Sequence, residues 1–239
     1  MKKIIFTLIL ATISLVNMAA KTGSIKRYEI SVRDFSELKI VHGININYVC
    51  NPDSAGMAVF ESADKHVSMF MFNNTNDRLE IQLMSESKDI PTDIPTITVY
   101  SKFLTKVENS GDSTVTITNM ASCPKFKARL IGNGHLVVKN INVTEFDGSI
   151  DTGNGTLSLY GSTTKAKLSC TGTGLIQAEE LVSDNTNCRM LGTGSIRCQA
   201  LTKLNITGMS SGKVYYKGNP KEVKRRSVGV KIIPLDNEQ

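Results

Sequence analysis

Residues 107–216 repeat one short phrase six times: GDSTVTI, GNGHLVV, GNGTLSL, GTGLIQA, GTGSIRC and SSGKVYY. Each phrase opens on Gly or Ser, skips a residue, places a second small residue and then alternates polar with apolar. The second small residues are Ser113, Gly134, Gly155, Gly174, Gly194 and Gly212, at successive spacings of 21, 21, 19, 20 and 18 residues. A period near 20 points to a solenoid. One such unit holds too few apolar residues to bury them alone, so it must stack on copies of itself.

Alignment on the first small residue produces columns. Four places on stand Val115, Leu136, Leu157, Ile176, Ile196 and Val214. Six places on stand Ile117, Val138, Leu159, Ala178, Cys198 and Tyr216. Four places before stand Val107, Ala128, Leu168, Cys188 and Ile206, with the third repeat offset by one to Ile150. The intervening residues are mostly polar, so each turn pairs two half-buried strands across a Gly-x-Gly bend. The predicted fold is all-β: a single-stranded right-handed parallel β-helix of about 20 residues per rung. Its handedness follows that of parallel crossovers. An antiparallel meander or sandwich would not give six-deep columns.

The bend residues Gly111, Gly132, Gly134, Gly153, Gly155, Gly172, Gly174, Gly192, Gly194 and Gly212 are read as structural. They permit positive φ and close stacking of neighbouring bends. No helix or Gly-Lys-Ser/Thr follows them, so they are not phosphate loops. They also lack the period of nine and the Asp of calcium-binding repeats.

Lys2 and Lys3, an apolar run over 4–16 and small residues at Ala19 and Ala20 read as a secretory signal over residues 1–20,. No Cys stands at the cleavage point, so a lipid anchor is not indicated. No later run is long enough to span a bilayer, so no transmembrane segment is expected in the mature chain. The expected localisation is periplasm, cell surface or medium. Residues 21–106 read as an N-terminal β segment forming irregular first rungs or a cap, 107–216 as the regular coil, and 217–239 as a basic turn, last strand and tail.

Within the N-terminal segment the alternation predicts strands over 28–32, 38–41, 41–50, 57–62, 66–72, 78–84 and 96–101. Residues 73–77 read as a turn and 85–96 as a loop. Near the other end, 217–227 reads as a turn carrying Lys217, Lys221, Lys224, Arg225 and Arg226, and 228–234 as a strand.

Aromatic residues are 6% of the chain and Trp is absent, which suits a ladder core better than an enzyme core. A formal charge of +6, part of it in the leader, is too mild to argue for nucleic acid,. Five Cys make an odd count,. Cys170, Cys188 and Cys198 fall in inward columns and read as buried thiols. Because their columns differ, none is expected to face another. A Cys50–Cys123 disulfide stays open in an exported chain.

His42, His66 and His135 have no partner at metal or triad spacing. Asp112, Asp147 and Asp151 share no outward column, and Arg129, Arg189 and Arg197 are scattered over rungs. No catalytic, cofactor-binding or metal-binding residue is assigned. What remains is the outward face after the bends. One column reads Thr114, His135, Thr156, Leu175, Ser195 and Lys213; the next reads Thr116, Val137, Ser158, Gln177, Arg197 and Tyr215. Such a long flat surface suits a glycan or an envelope protein, or a second copy of the chain.

The order DFSELKIVHGININYV, PTITVYSKFLTKVENSGDSTVTI, the Gly-x-Gly phrases and a closing YYKGNP resembles the head GIN domain family of auto-transporter adhesins common in Bacteroidetes. The tripeptide Gly43–Ile44–Asn45 is itself present, and the resemblance covers roughly 28–235. It implies an exported β-helical domain of unknown biochemical activity, with adhesion as the suggested role. Related structures have also been called pectinase-like. The expected function is therefore a non-catalytic envelope binding module. The alternatives are a polysaccharide-degrading enzyme on a β-helix and a self-associating structural protein.

Overall fold

The structure, a computed structural model, describes residues 25–84 and 94–235. The signal predicted over 1–20 and most of the loop predicted over 85–96 lie outside the described residues. Among the described residues, eighteen strands form one continuous sheet that winds into a mostly parallel coil.

The chain begins with β1 (Lys26–Ser31), β2 (Glu37–Val41) and β3 (Ile46–Cys50). A 3-10 turn over Pro52–Ser54 leads to β4 (Met57–Ser62), a single helical turn α1 (Asp64–Val67), β5 (Phe70–Thr75), β6 (Arg78–Leu83) and β7 (Ile97–Ser101). The strand predicted over 66–72 is thus shorter, because pairing with β6 begins only at Phe70↔Leu83. The residues before Phe70 instead close a turn, with His66 N–H donating to the Ala63 carbonyl at 2.9 Å. At the other end of β5, Asn76 and Asp77 both have positive φ, 52° and 59°. That two-residue hairpin lets the strand run on through Thr75, where a longer turn was predicted.

The regular coil follows: β8 (Lys106–Ser110), β9 (Thr114–Ile117), β10 (Cys123–Ile131), β11 (His135–Thr152), β12 (Thr156–Cys170), β13 (Leu175–Met190), β14 (Ser195–Gln199), β15 (Lys203–Met209) and β16 (Lys213–Lys217). Every strand-to-strand contact among them is parallel. Leu136 pairs with Val115 and Leu157, Leu157 with Ile176, Ile176 with Ile196, and Ile196 with Val214. All six are fully buried. The ladder extends beyond the repeats, to Ile46 and Ile97 below and Ile232 above.

The third repeat is not offset in the way its sequence suggests. Gly148, not Ile150, pairs with Ala128 and Leu168. Ile150 belongs to the next ladder, between Leu130 and Cys170. The extra residue is taken up by a bulge, where the register jumps from Leu130↔Ile150 to Ile131↔Thr152,. Gly148 leaves room for the neighbouring Phe126 and Phe146 rings, which stack at 5.8 Å.

The cysteine expectation is overturned as well. Cys188 and Cys198 lie in different columns, yet their sulfurs are 3.6 Å apart in the core. Columns at matching distances before and after a bend sit on opposite walls of the same rung and point at each other. All five cysteines are free thiols in the structure; Cys50 and Cys123 donate to the Lys102 and Lys125 carbonyls.

Rungs do not stack in chain order at the N-terminal end. β2 lies between β6 and β8, and β3 between β7 and β9, all parallel. The Gly43–Ile44–Asn45 tripeptide is the bend of this enclosed rung. Asn45 Oδ1 accepts the Thr114 N–H at 2.9 Å, and Ile44 is fully buried. Beyond β7 the sheet turns antiparallel through β4 and β1. There Tyr28, Phe70 and Phe72 pack around Phe60.

At the other end, the predicted basic turn is a strand. β17 (Glu222–Val228) stacks on β15, and β18 (Lys231–Pro234) stacks on β16. Gly229, at φ 80°, turns the chain between them. The cluster thus joins one more rung, with Arg225 over Ile206.

Candidate ligand-binding wall

The wall that follows the bends carries both predicted outward columns in register. Thr114, His135, Thr156, Leu175, Ser195 and Lys213 form one row; Thr116, Val137, Ser158, Gln177, Arg197 and Tyr215 form the next. Bend geometry sets this alignment. Gly192 would place a Cβ 1.9 Å from the Gly172 carbonyl oxygen, and Gly153 one 2.2 Å from that of Gly132. The middle residues tie the first three bends together: Asp112 Oδ1 accepts the Asn133 N–H at 3.3 Å, and Asn133 Oδ1 accepts that of Asn154 at 3.1 Å.

The wall is not uniform. His135 and Lys213 project into solvent, whereas Thr114, Thr116, Thr156, Ser195, Gln177, Arg197 and Tyr215 are half-buried by their neighbours. Ser158 is buried and its hydroxyl donates to Gln177 Oε1 at 2.8 Å. On the next two rungs the Arg197 guanidinium lies over the Tyr215 ring, 5.9 Å from its centroid,. Arg197 Nε also stands 3.3 Å from Glu179 Oε1, within ion-pair reach but without a hydrogen bond.

Glu179 was not legible as part of this wall. A register shift between Ser158 and Tyr160 inserts it at the corner,. The broken alternation Ala178–Glu179–Glu180 is its only trace in the sequence. Tyr160 is exposed at the same corner and Lys217 pairs with Glu180 at 3.2 Å. Amide, guanidinium, carboxylate and phenol thus converge at one end of the wall.

The wall before the bends is an ion-pair lattice. Lys39 meets Glu80 at 3.0 Å, Glu37 meets Arg78 and Lys106, and Arg129 meets Glu108 and Asp151. Glu145 lies between Lys125 at 2.6 Å and Lys167 at 2.8 Å, and hydrogen bonds from both ammonium groups lower its pKa to about 2. Asp147 sits in register between Lys127 and Lys167, on a different row from Asp151. His42 lies in the bend before Gly43, with φ 67°, and His66 in α1. Arg189 lies on the wall before the bends, away from Arg197.

A shallow hollow of about 360 Å³ lies at another corner, lined by residues 122–124, 142–144 and Thr164. The repeat alignment gave no sign of it, because it forms between the corners of adjacent rungs. Among the described residues no group of three or more His, Cys, Asp or Glu could hold a metal ion. No helix there is long and apolar enough to cross a membrane.

The comparisons with known proteins agree with this architecture. The coil resembles the crystal structure of a putative adhesin from Bacteroides fragilis, with a TM-score of 0.79 and 20% identity over 89% of this chain and 97% of that one. It also resembles a putative lipid binding protein from Parabacteroides distasonis, at TM-score 0.71 and 18% identity over 90% of this chain and 98% of that one. A putative adhesin from the same organism superposes at TM-score 0.72 and 20% identity, covering 89% and 97%. At these identities the likeness is one of fold. A search of curated proteins finds no match. A family model described as "Putative auto-transporter adhesin, head GIN domain" matches residues 34–220. By that match over most of its length, the chain belongs to this head GIN domain family.

Proposed function

We propose that this protein is an exported envelope module that binds a glycan along the wall after the bends, without cleaving it. The observation that carries the reading is the aligned row Ser158, Gln177, Arg197 and Tyr215 with Glu179 beside it. Planar amide and guanidinium groups bond to vicinal hydroxyls, and the phenol hydroxyl can donate to or accept from another. Rungs advance about 4.8 Å, comparable to the step of an extended polysaccharide, so successive sugars meet successive rungs. An adhesin-like family and the leader read from the sequence support export.

Binding of the mature chain to a glycan array and to envelope fractions tests this. Arg197→Ala and Tyr215→Ala are each expected to weaken binding by roughly tenfold, the equivalent of about 1.4 kcal/mol, with melting temperature retained. Blank results on both surfaces overturn the reading. Release of reducing ends from pectin-like polysaccharide would replace it with the enzymatic alternative. That alternative needs two converging carboxylates, whereas Glu179 and Glu180 each face a cation.

A further inference from the structure

We infer that Cys188 and Cys198 are joined by a disulfide that closes one rung of the coil across its core. In the structure both are free, buried thiols, with Cys188 Sγ donating to Cys198 Sγ at 3.6 Å; oxidation turns this contact into the bond. Cys188 lies on β13 before the bend and Cys198 on β14 after it. The fold itself makes them face each other. At the same two places other rungs hold Val107 with Ile117, Ala128 with Val138 and Leu168 with Ala178.

The remaining thiols behave differently. Cys50 donates to the Lys102 carbonyl, Cys123 to that of Lys125 and Cys170 to those of Gly172 and Gly174. Cys188 and Cys198 have each other.

The inference rests on the export reading for an oxidising compartment. A thiolate from one cysteine attacks the disulfide of a thiol–disulfide oxidoreductase, forming a mixed disulfide. The second thiolate then displaces the carrier, which leaves as a dithiol; the two thiol protons complete the balance. The hydrogen bond that Cys188 donates to Cys198, together with burial, raises the Cys188 pKa. Packing therefore disfavours the thiolate that exchange needs, and oxidation is easier while the rung is still open to the carrier. Cys198 directly follows Arg197, so the link also fixes the backbone that carries the guanidinium of the proposed ligand wall.

The test uses the whole chain, unfolded and reduced, then refolded in a glutathione redox buffer. Free thiols are alkylated in denaturant and peptides are mapped by mass spectrometry. One cross-link, Cys188–Cys198, is expected, with Cys50, Cys123 and Cys170 alkylated. Reductant should lower the melting temperature of this protein but not that of the Cys188→Ala/Cys198→Ala variant. Chain recovered from cell envelopes, alkylated at lysis, provides the same map without refolding. Five alkylated cysteines in correctly folded protein, or a link to any other cysteine, overturn the inference. No ligand enters the assay, so its result stands apart from that of the glycan test.

Discussion

At the scale of single residues, what matters is the room left for a side chain between rungs. Gly192 has none: an added Cβ would lie 1.9 Å from one backbone oxygen and 2.4 Å from another. Gly148 has some, since its nearest obstacles are the Phe146, Leu157 and Leu168 side chains at 3.1 to 3.4 Å. We predict that Gly192→Ala destabilises the protein by more than ~1 kcal/mol, because backbone must move. Gly148→Ala should cost clearly less, because side chains can shift. Paired denaturant titrations will show it; equal losses would mean that the bends do not hold the stacking distance. The repeat phrase already marks Gly192 as a bend residue but passes over Gly148, giving its column to Ile150. Only the register shows that Gly148 lines the core.

At the scale of the elements, ladders and lattices divide the work. Leu157 is fully buried between Leu136 and Ile176. Truncation to Ala leaves a cavity at mid-coil, where neighbours on both rungs are fixed by backbone pairing. A loss of about 2–5 kcal/mol is expected in chemical denaturation. The ion-pair wall makes a different prediction. Glu145 is held near pKa 2 by Lys125 and Lys167, below the ~4.3 of an unfolded Glu. A carboxylate with a lowered folded pKa adds stability above the unfolded value and loses it as pH falls through the folded one. Melting temperature should therefore fall from about pH 4.3 toward pH 2, less steeply in Glu145→Gln. The side chain is 24% exposed, so high salt should shrink the difference. An identical pH profile for the two proteins would show that the pairing adds nothing.

At the scale of the molecule, a coil has two ends, and each is finished differently. One end passes into antiparallel strands packed around Phe60. The other ends on β17, where Arg225 stands over Ile206 in an inward ladder and is exposed. A charge in the last apolar column discourages another coil from stacking there. We predict that Arg225→Ile promotes end-to-end association, seen as a concentration-dependent rise in light scattering with secondary structure unchanged. A variant that stays as dispersed as the parent would show that Arg225 is not what guards this end.

The sequence alone determined the coil. Leu136, Leu157 and Ile176 recur at a spacing that only stacking can bury, and the same period names the outward columns of the wall. Non-sequential contacts carry no periodic signal, and the columns do not by themselves say which two face each other across the core; the tertiary structure alone decided both. Examples are β2 and β3 held between β6–β7 and β8–β9, the basic cluster extended as a strand, Glu179 bulged beside Arg197, and Cys188 set against Cys198. The reason is that a repeat fixes what lies above and below a residue. What lies across the core, or at an end where no further rung follows, depends on how the whole chain closes.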